Sequence, residues 1–296
     1  MNQPILITMG DAAGIGPEII AKAFRDSPAD LAGCVVVGDV ATLRRAAALT
    51  AAATGTLALP VAQLDGLAEA PCVPPHCMAV LQKCELLAPV PYGLVSALAG
   101  RAAAESIVWA ARAVLAGEAA AMVTAPIHKE ALAAAGGWAA GFPGHTELLQ
   151  AEAGAGPVRM MLANDELKTV LVSIHVSLRR AIEAVSLASV LETLRIAHVA
   201  AQRWGQAAPR IAVAGLNPHA GEGGLFGDEE LRLIAPAVEA ARREGIDARG
   251  PFAPDTVFMR ARHTSDHPGE FDIVVAMYLD QGLIPVKYLG VERGVN

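Results

Sequence analysis

The chain has 296 residues, of which 53% are hydrophobic and 18% charged, and its formal net charge is −7. This length allows one large domain or two of ordinary size, because single cores stop growing at roughly 250–300 residues. The composition is that of a folded globular protein, and the negative charge argues against a nucleic-acid partner, which needs a basic face. No apolar run approaches the roughly 18 residues of a membrane span and the N-terminus has no basic region, so we expect a cytoplasmic protein without a membrane partner.

Apolar runs of strand length alternate with segments of helical period, which is typical of an α/β protein. The runs are ILITM, CVVVGD and AAMVTA, followed by VRMMLA, KTVLVSIHV, RIAVAGLNP and DIVVAMY. A helix rich in small residues is predicted over residues 96–118, and a second over SLASVLETLRIAHVAAQRWG, which Ser186 can cap and Gly205 ends. We predict two α/β lobes, residues 1–137 and 138–296.

A glycine-rich junction, GDAAGIGPEII, follows the first strand. It does not match G-x-G-x-x-G, because Ile19 occupies the place of the last glycine, and the chain has no P-loop lysine motif. A Rossmann dinucleotide site is therefore excluded, while a structural turn and a ligand loop stay equal alternatives here. The four cysteines form no C-x-x-C pair, so we expect free thiols and no tetrahedral zinc site.

Two predicted helix N-termini in the middle of the chain have residues that could bind an anion. MVTAPIHKEAL places His128 and Lys129 at the start of one helical pattern, and FPGHTELLQ places His145 and Thr146 at the start of the next. Partial positive charge and free N–H groups coincide at a helix N-terminus. For His145, a helix-capping role and a ligand-binding role are equal alternatives.

Two histidines follow buried strands in the second half. His175 ends LVSIHVSL and His219 lies in NPHAGEGG. A neutral imidazole at a strand end can present a lone pair to a divalent metal, and the pattern favours this over a structural role. The run VVAMYLDQGLIPVKY predicts one further buried strand, whose end presents Asp280, Gln281 and Lys287 to a cleft.

Several motifs together resemble the 4-hydroxythreonine-4-phosphate dehydrogenase family of vitamin B6 synthesis. They are MGDAAGIGPEI, TAPIHKEAL, GHTE, IHVSL, GLNPHAGEGG, GPFAPDTVF and DQGLIPVKYLGVERGVN, from Met9 to Asn296. The resemblance implies a two-lobed fold like the isocitrate and isopropylmalate dehydrogenases, with a cleft between the lobes. It also implies a homodimer whose active site takes residues from both subunits.

The resemblance further implies an activity. A small phosphorylated hydroxy acid, 4-phosphohydroxy-L-threonine, would be oxidised by NAD, or by NADP, with the help of Zn, Mg or Co. The product, a 2-amino-3-oxo acid phosphate, would lose carbon dioxide. The alternatives are a sibling dehydrogenase of D-threonate or D-erythronate 4-phosphate, and a binding protein that has lost metal and cofactor.

The matching motifs assign roles residue by residue. They assign substrate binding to His145, Thr146, Lys287 and Asn296, catalysis to Lys287 and Asp255, and metal binding to His175 and His219. Thr256 accompanies Asp255 in the cleft, and Lys129 and Asp280 are weaker candidates that lie beside these motifs.

This chain departs from the family pattern in two places. Family members read MYHDQG where this chain reads MYLDQG, so Leu279 stands at the third metal-binding position. Leucine has no lone pair to donate, and we expect metal binding to be weak. Family members also continue past the matching RGVN with a segment that helps to hold the cofactor and a closing helix on the first lobe, whereas this sequence stops at Asn296. We therefore expect weakened NAD binding.

Overall fold

The structure is a computed structural model that describes residues 3–154 and 156–296. The chain divides into two units, Met1–Pro157 and Val158–Asn296. Each unit contains a five-stranded sheet with apolar clusters on both of its faces. The predicted α/β class is therefore confirmed.

The sheet of the first unit is parallel throughout, in the order β3-β4-β2-β1-β5. Its strands are β1 (Ile5–Thr8), β2 (Cys34–Gly38), β3 (Val61–Leu64), β4 (Met78–Gln82) and β5 (Ala121–Thr124). Its helices are α1 (Gly16–Asp26), α2 (Val40–Thr54), α3 (Ala97–Leu115), α4 (Lys129–Ala134) and α5 (His145–Glu152), with 3₁₀ turns at Leu67–Cys72 and Ala139–Gly141.

A parallel sheet needs cover on both faces, because its crossover helices lie on either side. In the run CVVVG of β2, successive valines point to opposite faces of the sheet and cover both. Val36 joins an apolar cluster with α1 and α2, whereas Val35 and Val37 join a cluster with α3. Both faces of β2 are therefore apolar, which explains the uninterrupted hydrophobic run in the sequence.

Helix α3 confirms the predicted helix of small residues. Ser96 caps it by accepting the N–H of Ala99 at 3.3 Å. A β-carbon added to Gly100 would lie 2.0 Å from the carbonyl oxygen of Ala131 in α4, so only glycine permits this approach. The small residues of α3 thus fix the position of α4, whose N-cap is His128.

All four cysteines lie in the described part of the first unit and are free thiols, as predicted. Burial raises the pKa of Cys84 to about 12, so this thiol stays protonated and unreactive at neutral pH. Cys72 is exposed.

The boundary between the units lies about twenty residues later than the sequence pattern predicts, after Pro157 instead of residue 137. The reason is that α5 packs on α3. Leu148 of α5 is fully buried against Ile107, and Arg112 forms an ion pair with Glu152 at 2.7 Å. His145 and Thr146 therefore belong to the first unit.

The sheet of the second unit has the order β6-β7-β10-β8-β9 and is parallel except for β6, which runs antiparallel to β7. Its strands are β6 (Met161–Ala163), β7 (Lys168–Leu171), β8 (Ile211–Ala214), β9 (Ala248–Phe252) and β10 (Ile273–Ala276). Its helices are α6 (Leu178–Ala184), α7 (Leu187–Arg203), α8 (Ala235–Arg243), α9 (Pro254–Ala261) and α10 (Leu279–Tyr288), with a closing 3₁₀ turn at Val291–Arg293.

Helix α7 is the helix that the sequence predicts after Ser186. Ser186 and Ser189 form a reciprocal capping box at its start, and Val190 and Leu194 are completely buried. Among the described residues, no single helix is long and apolar enough to cross a bilayer; α6 and α7 pass that test only as a pair, bent by 85°.

The prediction for the run VVAMYLDQGLIPVKY is wrong in its second half. Strand β10 ends at Ala276, and residues 279–288 form helix α10 instead of a continued strand end. Leu279, Leu283 and Val286 recur at helical spacing and pack on one apolar cluster of the sheet. The glycine and proline within the segment obscure this period in the sequence.

Candidate functional site

Four parallel strands of the second unit end at the same edge of their sheet, because β7, β10, β8 and β9 lie side by side and run in one direction. The segment that follows each strand carries a residue nominated from the sequence. These are His175 after β7, Leu279 after β10, His219 after β8 and Asp255 after β9. The carboxyl edge of a parallel sheet is where α/β proteins bind ligands, and the Leu279 position lies between the two histidine positions.

The two histidines are at the surface and do not pack into the core. Both His175 and His219 are exposed, and both have a φ of 52°. The Nδ1 atom of His219 lies 4.0 Å from a carboxylate oxygen of Glu222. Both imidazoles can therefore meet a ligand at the carboxyl edge.

His219 opens an unusual backbone turn. The five residues from His219 to Gly223 have φ between 44° and 79°, in the left-handed region. Three of them, His219, Ala220 and Glu222, carry side chains, and this conformation costs such residues roughly 1–2 kcal/mol each. A turn of this kind persists only when the surrounding structure holds it.

Side chains that the sequence reasoning missed tie the strand ends together. Gln281 accepts the N–H of Met277 and donates to the carbonyl of Gly215, each at 2.7 Å. Ser173 donates to the carbonyl of Met277 at 3.0 Å. These bonds link the ends of β7, β10 and β8. Gln281 was expected to face a cleft and not to bridge strand ends, and a buried serine beside a strand end is too weak a signal in the sequence.

Glu230 holds the loop that follows β8, and its role was also missed. Its side chain is 2% exposed. One carboxylate oxygen accepts the backbone N–H groups of Leu216 and Asn217, each at 2.7 Å. The other accepts the side-chain amide of Asn217 at 2.9 Å. Pro218 follows these two residues, and the left-handed turn then begins at His219.

The residues at this edge do not complete a metal centre within one chain. His175 and His219 supply nitrogen donors, but the Leu279 side chain packs against the apolar cluster that includes Leu283. Throughout residues 3–154 and 156–296, no three His, Cys, Asp or Glu side chains gather closely enough to hold a metal ion. Structural and catalytic zinc sites use three or four protein ligands, so the donor set is one ligand short.

Lys287 and Asn296 lie at the opposite edge of the same sheet. Helix α10 starts at Leu279 and carries Lys287 eight residues on, which is about 12 Å along the helix axis. The Asn164 amide, just past the end of β6, donates to the carbonyl of Val286 at 3.3 Å, and Val295 pairs with Ala163. Because β6 is antiparallel to β7, its end marks the amino edge of the sheet. One chain therefore does not bring Lys287 and Asn296 together with the two histidines.

The first unit presents a separate polar cluster at the start of α5. Gly144 caps this helix without a side-chain hydrogen bond, so the first N–H groups are available to a ligand. A β-carbon on Gly144 would lie 3.5 Å from a carboxylate oxygen of Glu147 and 3.7 Å from the Cε atom of Lys129, so an acid and an ammonium group both lie near this helix end. His145 and Thr146 are the first residues of this helix, as predicted.

Burial of His145 disfavours the charged form of its imidazole. Burial lowers the pKa of His145 below its ordinary value of 6.5, although a backbone contact to Ala125 opposes the shift. Its Nε2 atom is buried and has no hydrogen-bond partner among the described residues. Since buried polar atoms are normally paired, this nitrogen is free to bind a ligand group.

Comparison with known proteins agrees with this architecture. Residues 30–296 match the family described as "Pyridoxal phosphate biosynthetic protein PdxA". The chain is 50% identical over 296 residues to a 4-hydroxythreonine-4-phosphate dehydrogenase of Beijerinckia indica, covering 100% of this chain and 83% of that protein. The chain belongs to the PdxA family.

Further relatives in the PdxA family carry two different names. A D-threonate 4-phosphate dehydrogenase of Pectobacterium atrosepticum is 43% identical, over 100% of this chain and 87% of its own length. A crystal structure of a Klebsiella pneumoniae 4-hydroxythreonine-4-phosphate dehydrogenase superimposes with a TM-score of 0.88 at 42% identity, covering 99% of this chain and 87% of that one.

Membership in the PdxA family confirms the predicted family and its isocitrate dehydrogenase-like α/β fold, and it identifies the chain as an oxidoreductase. The roles of the individual site residues stay predictions. The structure places His175, His219 and Asp255 at one sheet edge. Lys287 lies toward the amino edge of that sheet, and His145 starts helix α5 of the first unit.

The buried position of His145 predicts its titration. Because the folded-state pKa lies below 6.5, the unfolded chain binds the proton first as the pH falls. The free energy of unfolding should therefore fall as the pH drops from 6.5 through the folded-state pKa. An NMR titration should find a midpoint below 6.5 for the His145 imidazole, whose signal is assigned by its absence in His145→Gln. As the pH falls, His145→Gln should lose less free energy of unfolding than the original chain. A midpoint above 6.5 would contradict the burial argument.

Proposed function

We propose that this chain oxidises the secondary alcohol of a phosphorylated four-carbon hydroxy acid, with 4-phosphohydroxy-L-threonine as the substrate and NAD as the oxidant. The alcohol carbon gives its hydride to NAD and the hydroxyl oxygen loses its proton. The resulting 2-amino-3-oxo acid phosphate loses carbon dioxide to give 3-amino-2-oxopropyl phosphate, an intermediate for vitamin B6. The name of the 50% identical relative supports this substrate.

The observation that carries the proposal is the carboxyl edge of the second sheet, where His175, His219 and Asp255 follow neighbouring strands. Two imidazoles and a carboxylate offer groups that can bind the alcohol and accept its proton. Asp255 is exposed in the first turn of α9 and has no ion-pair partner among the described residues. It is our candidate for the proton acceptor.

The start of α5 is the proposed site for a substrate anion. Helix N–H groups, the hydroxyl of Thr146 and the nearby ammonium of Lys129 suit a phosphate or carboxylate. In neutral His145 the single N–H serves the backbone of Ala125, so the free Nε2 atom is an acceptor and suits a substrate hydroxyl.

A homodimer with a shared active site would unite the remaining residues. Lys287 and Asn296 lie at the amino edge of the second sheet, away from His175 and His219 in the same chain. We propose that the partner subunit supplies its Lys287 and Asn296 to the substrate. A fixed point charge such as a lysine ammonium suits a phosphate. The exposed apolar side chains of Val176, Leu178, Ile182, Leu225 and Phe226 support an interface beside the histidine loops.

A second candidate activity has direct support. The 43% identical relative from P. atrosepticum is named a D-threonate 4-phosphate dehydrogenase. Threonate and hydroxythreonine phosphates share a phosphate and a secondary alcohol, and they differ at the carbon that bears either a hydroxyl or an amino group. Groups that bind a phosphate and a secondary alcohol therefore suit either substrate.

The substrate assignment predicts a rank order of rates. Formation of NADH should be fastest with 4-phosphohydroxy-L-threonine, slower with D-threonate 4-phosphate and slowest with D-erythronate 4-phosphate. His145→Gln should lower kcat/KM about 3–10-fold, the effect of losing a hydrogen bond between neutral groups. Arg195→Lys, in an exposed ion pair of α7, is the control that should leave the rates unchanged. Faster turnover of D-threonate 4-phosphate would favour the second activity.

The incomplete donor set predicts weak metal binding. Leu279→His would add an imidazole between His175 and His219 and should raise the affinity for Zn²⁺ or Co²⁺ more than about 100-fold, because changes outside the ligand shell already alter affinity 10–100-fold. Leu279→Phe is the matched control, since it adds a ring without a donor atom. Calorimetry of the three proteins gives the affinities. Equal metal affinity of the His variant and the original chain would contradict the role of this position.

A further inference from the structure

Glu230 is a buried carboxylate whose hydrogen-bond partners all belong to one loop. It begins a π-helical segment, Glu230–Ile234, that leads into α8. Its partners are the backbone N–H groups of Leu216 and Asn217 and the side-chain amide of Asn217. These two residues join the end of β8 to Pro218 and His219. Glu230 therefore fixes the chain directly before the left-handed turn.

The packing around this carboxylate leaves little freedom to the loop. A β-carbon on Gly215 would lie 3.1 Å from one Glu230 oxygen, and a β-carbon on Gly221 would lie 2.8 Å from the other. Gly215 precedes the turn and Gly221 lies within it, so the carboxylate touches the loop on both sides of His219. The turn therefore closes around Glu230, and the residues that precede the turn are hydrogen-bonded to the same carboxylate.

The chemistry of the contact requires hydrogen-bond acceptors. A carboxylate offers acceptors only, and three N–H groups converge on it. A glutamine has the same shape, but its NH₂ group would face the amide of Asn217, placing donor against donor. Buried hydrogen bonds to a charged acceptor are also stronger than hydrogen bonds to a neutral acceptor.

We propose that Glu230 is a positioning residue that presents His219 to the substrate edge by holding the strained turn in its left-handed conformation. The kinetic part of this inference rests on the proposed dehydrogenase function, whereas the structural part does not. His219 is the first of five left-handed residues. Its imidazole cannot keep its direction if the backbone before it loses the hydrogen bonds to Glu230.

Glu229 provides a matched control one residue away. Its carboxylate accepts the Asn217 side-chain amide at 2.6 Å, but it makes none of the backbone bonds of Glu230. Glu229→Gln and Glu230→Gln remove the same charge from the same neighbourhood. Only the second removes the carboxylate that holds the backbone of Leu216 and Asn217.

The test compares these two variants in the full chain. In Glu230→Gln, amide hydrogen exchange at Leu216 and Asn217 should be about tenfold faster, because the oxygen that accepts both N–H groups becomes a neutral acceptor and the new NH₂ group displaces the Asn217 side chain. The His219 imidazole signal, assigned by its loss in His219→Ala, should shift or broaden in NMR spectra. Glu229→Gln should leave both observations unchanged. Unchanged exchange and an unchanged His219 signal in Glu230→Gln would overturn the proposal.

Kinetics then separate positioning from a merely structural role. Glu230→Gln should lower kcat about tenfold or more and leave KM within about twofold, since the anion site at α5 is untouched. In a His219→Ala background the same change should have no further effect on kcat, whereas additive losses would contradict action through His219. If Glu230→Gln does not fold, Glu230→Asp, whose carboxylate is one methylene shorter, should show the same altered His219 signal. A shifted His219 signal with no dehydrogenase activity in any variant would reject the proposed function and leave the positioning role intact.

Discussion

The common direction of four neighbouring strands in the second unit is the constraint on which the candidate site depends. Parallel strands end together, so segments far apart in sequence meet at one edge of the sheet. His175 and His219 are separated by α6 and α7, yet their strands β7 and β8 both border β10. The same geometry places Leu279, an apolar residue, after the strand that lies between the two histidine strands, at the position where the proposed metal site would need a third donor.

Polar side chains hold the strand ends at this edge. Gln281 and Ser173 bridge the strand ends, and Glu230 accepts the backbone N–H groups of Leu216 and Asn217, which precede the turn. Left-handed backbone at non-glycine residues is costly, and a buried carboxylate is costly too unless it is fully hydrogen-bonded. This loop combines left-handed backbone with a buried carboxylate. Both features lower stability, which indicates that the conformation of the loop is needed for function.

Much of the fold follows from the sequence, because buried parallel strands are long apolar runs and α7 has both a capping box and an apolar stripe. The strand ends that carry His175 and His219 follow from the same runs. Helix α10 does not, since Gly282 and Pro285 mask a stripe that only the packing of Leu283 and Val286 reveals. The role of Glu230 is equally hidden, because its three partners lie more than ten residues away and two of them are backbone groups. The sequence also places His145 in the wrong unit, since the packing of α5 on α3 is tertiary.

A crystal structure of the protein with 4-phosphohydroxy-L-threonine would test the central claim most directly. The account predicts electron density for the ligand at the carboxyl edge of the second sheet, with its alcohol oxygen within hydrogen-bond distance of His175, His219 or Asp255. Density for the ligand only at other surfaces, with both imidazoles left in solvent, would contradict the account.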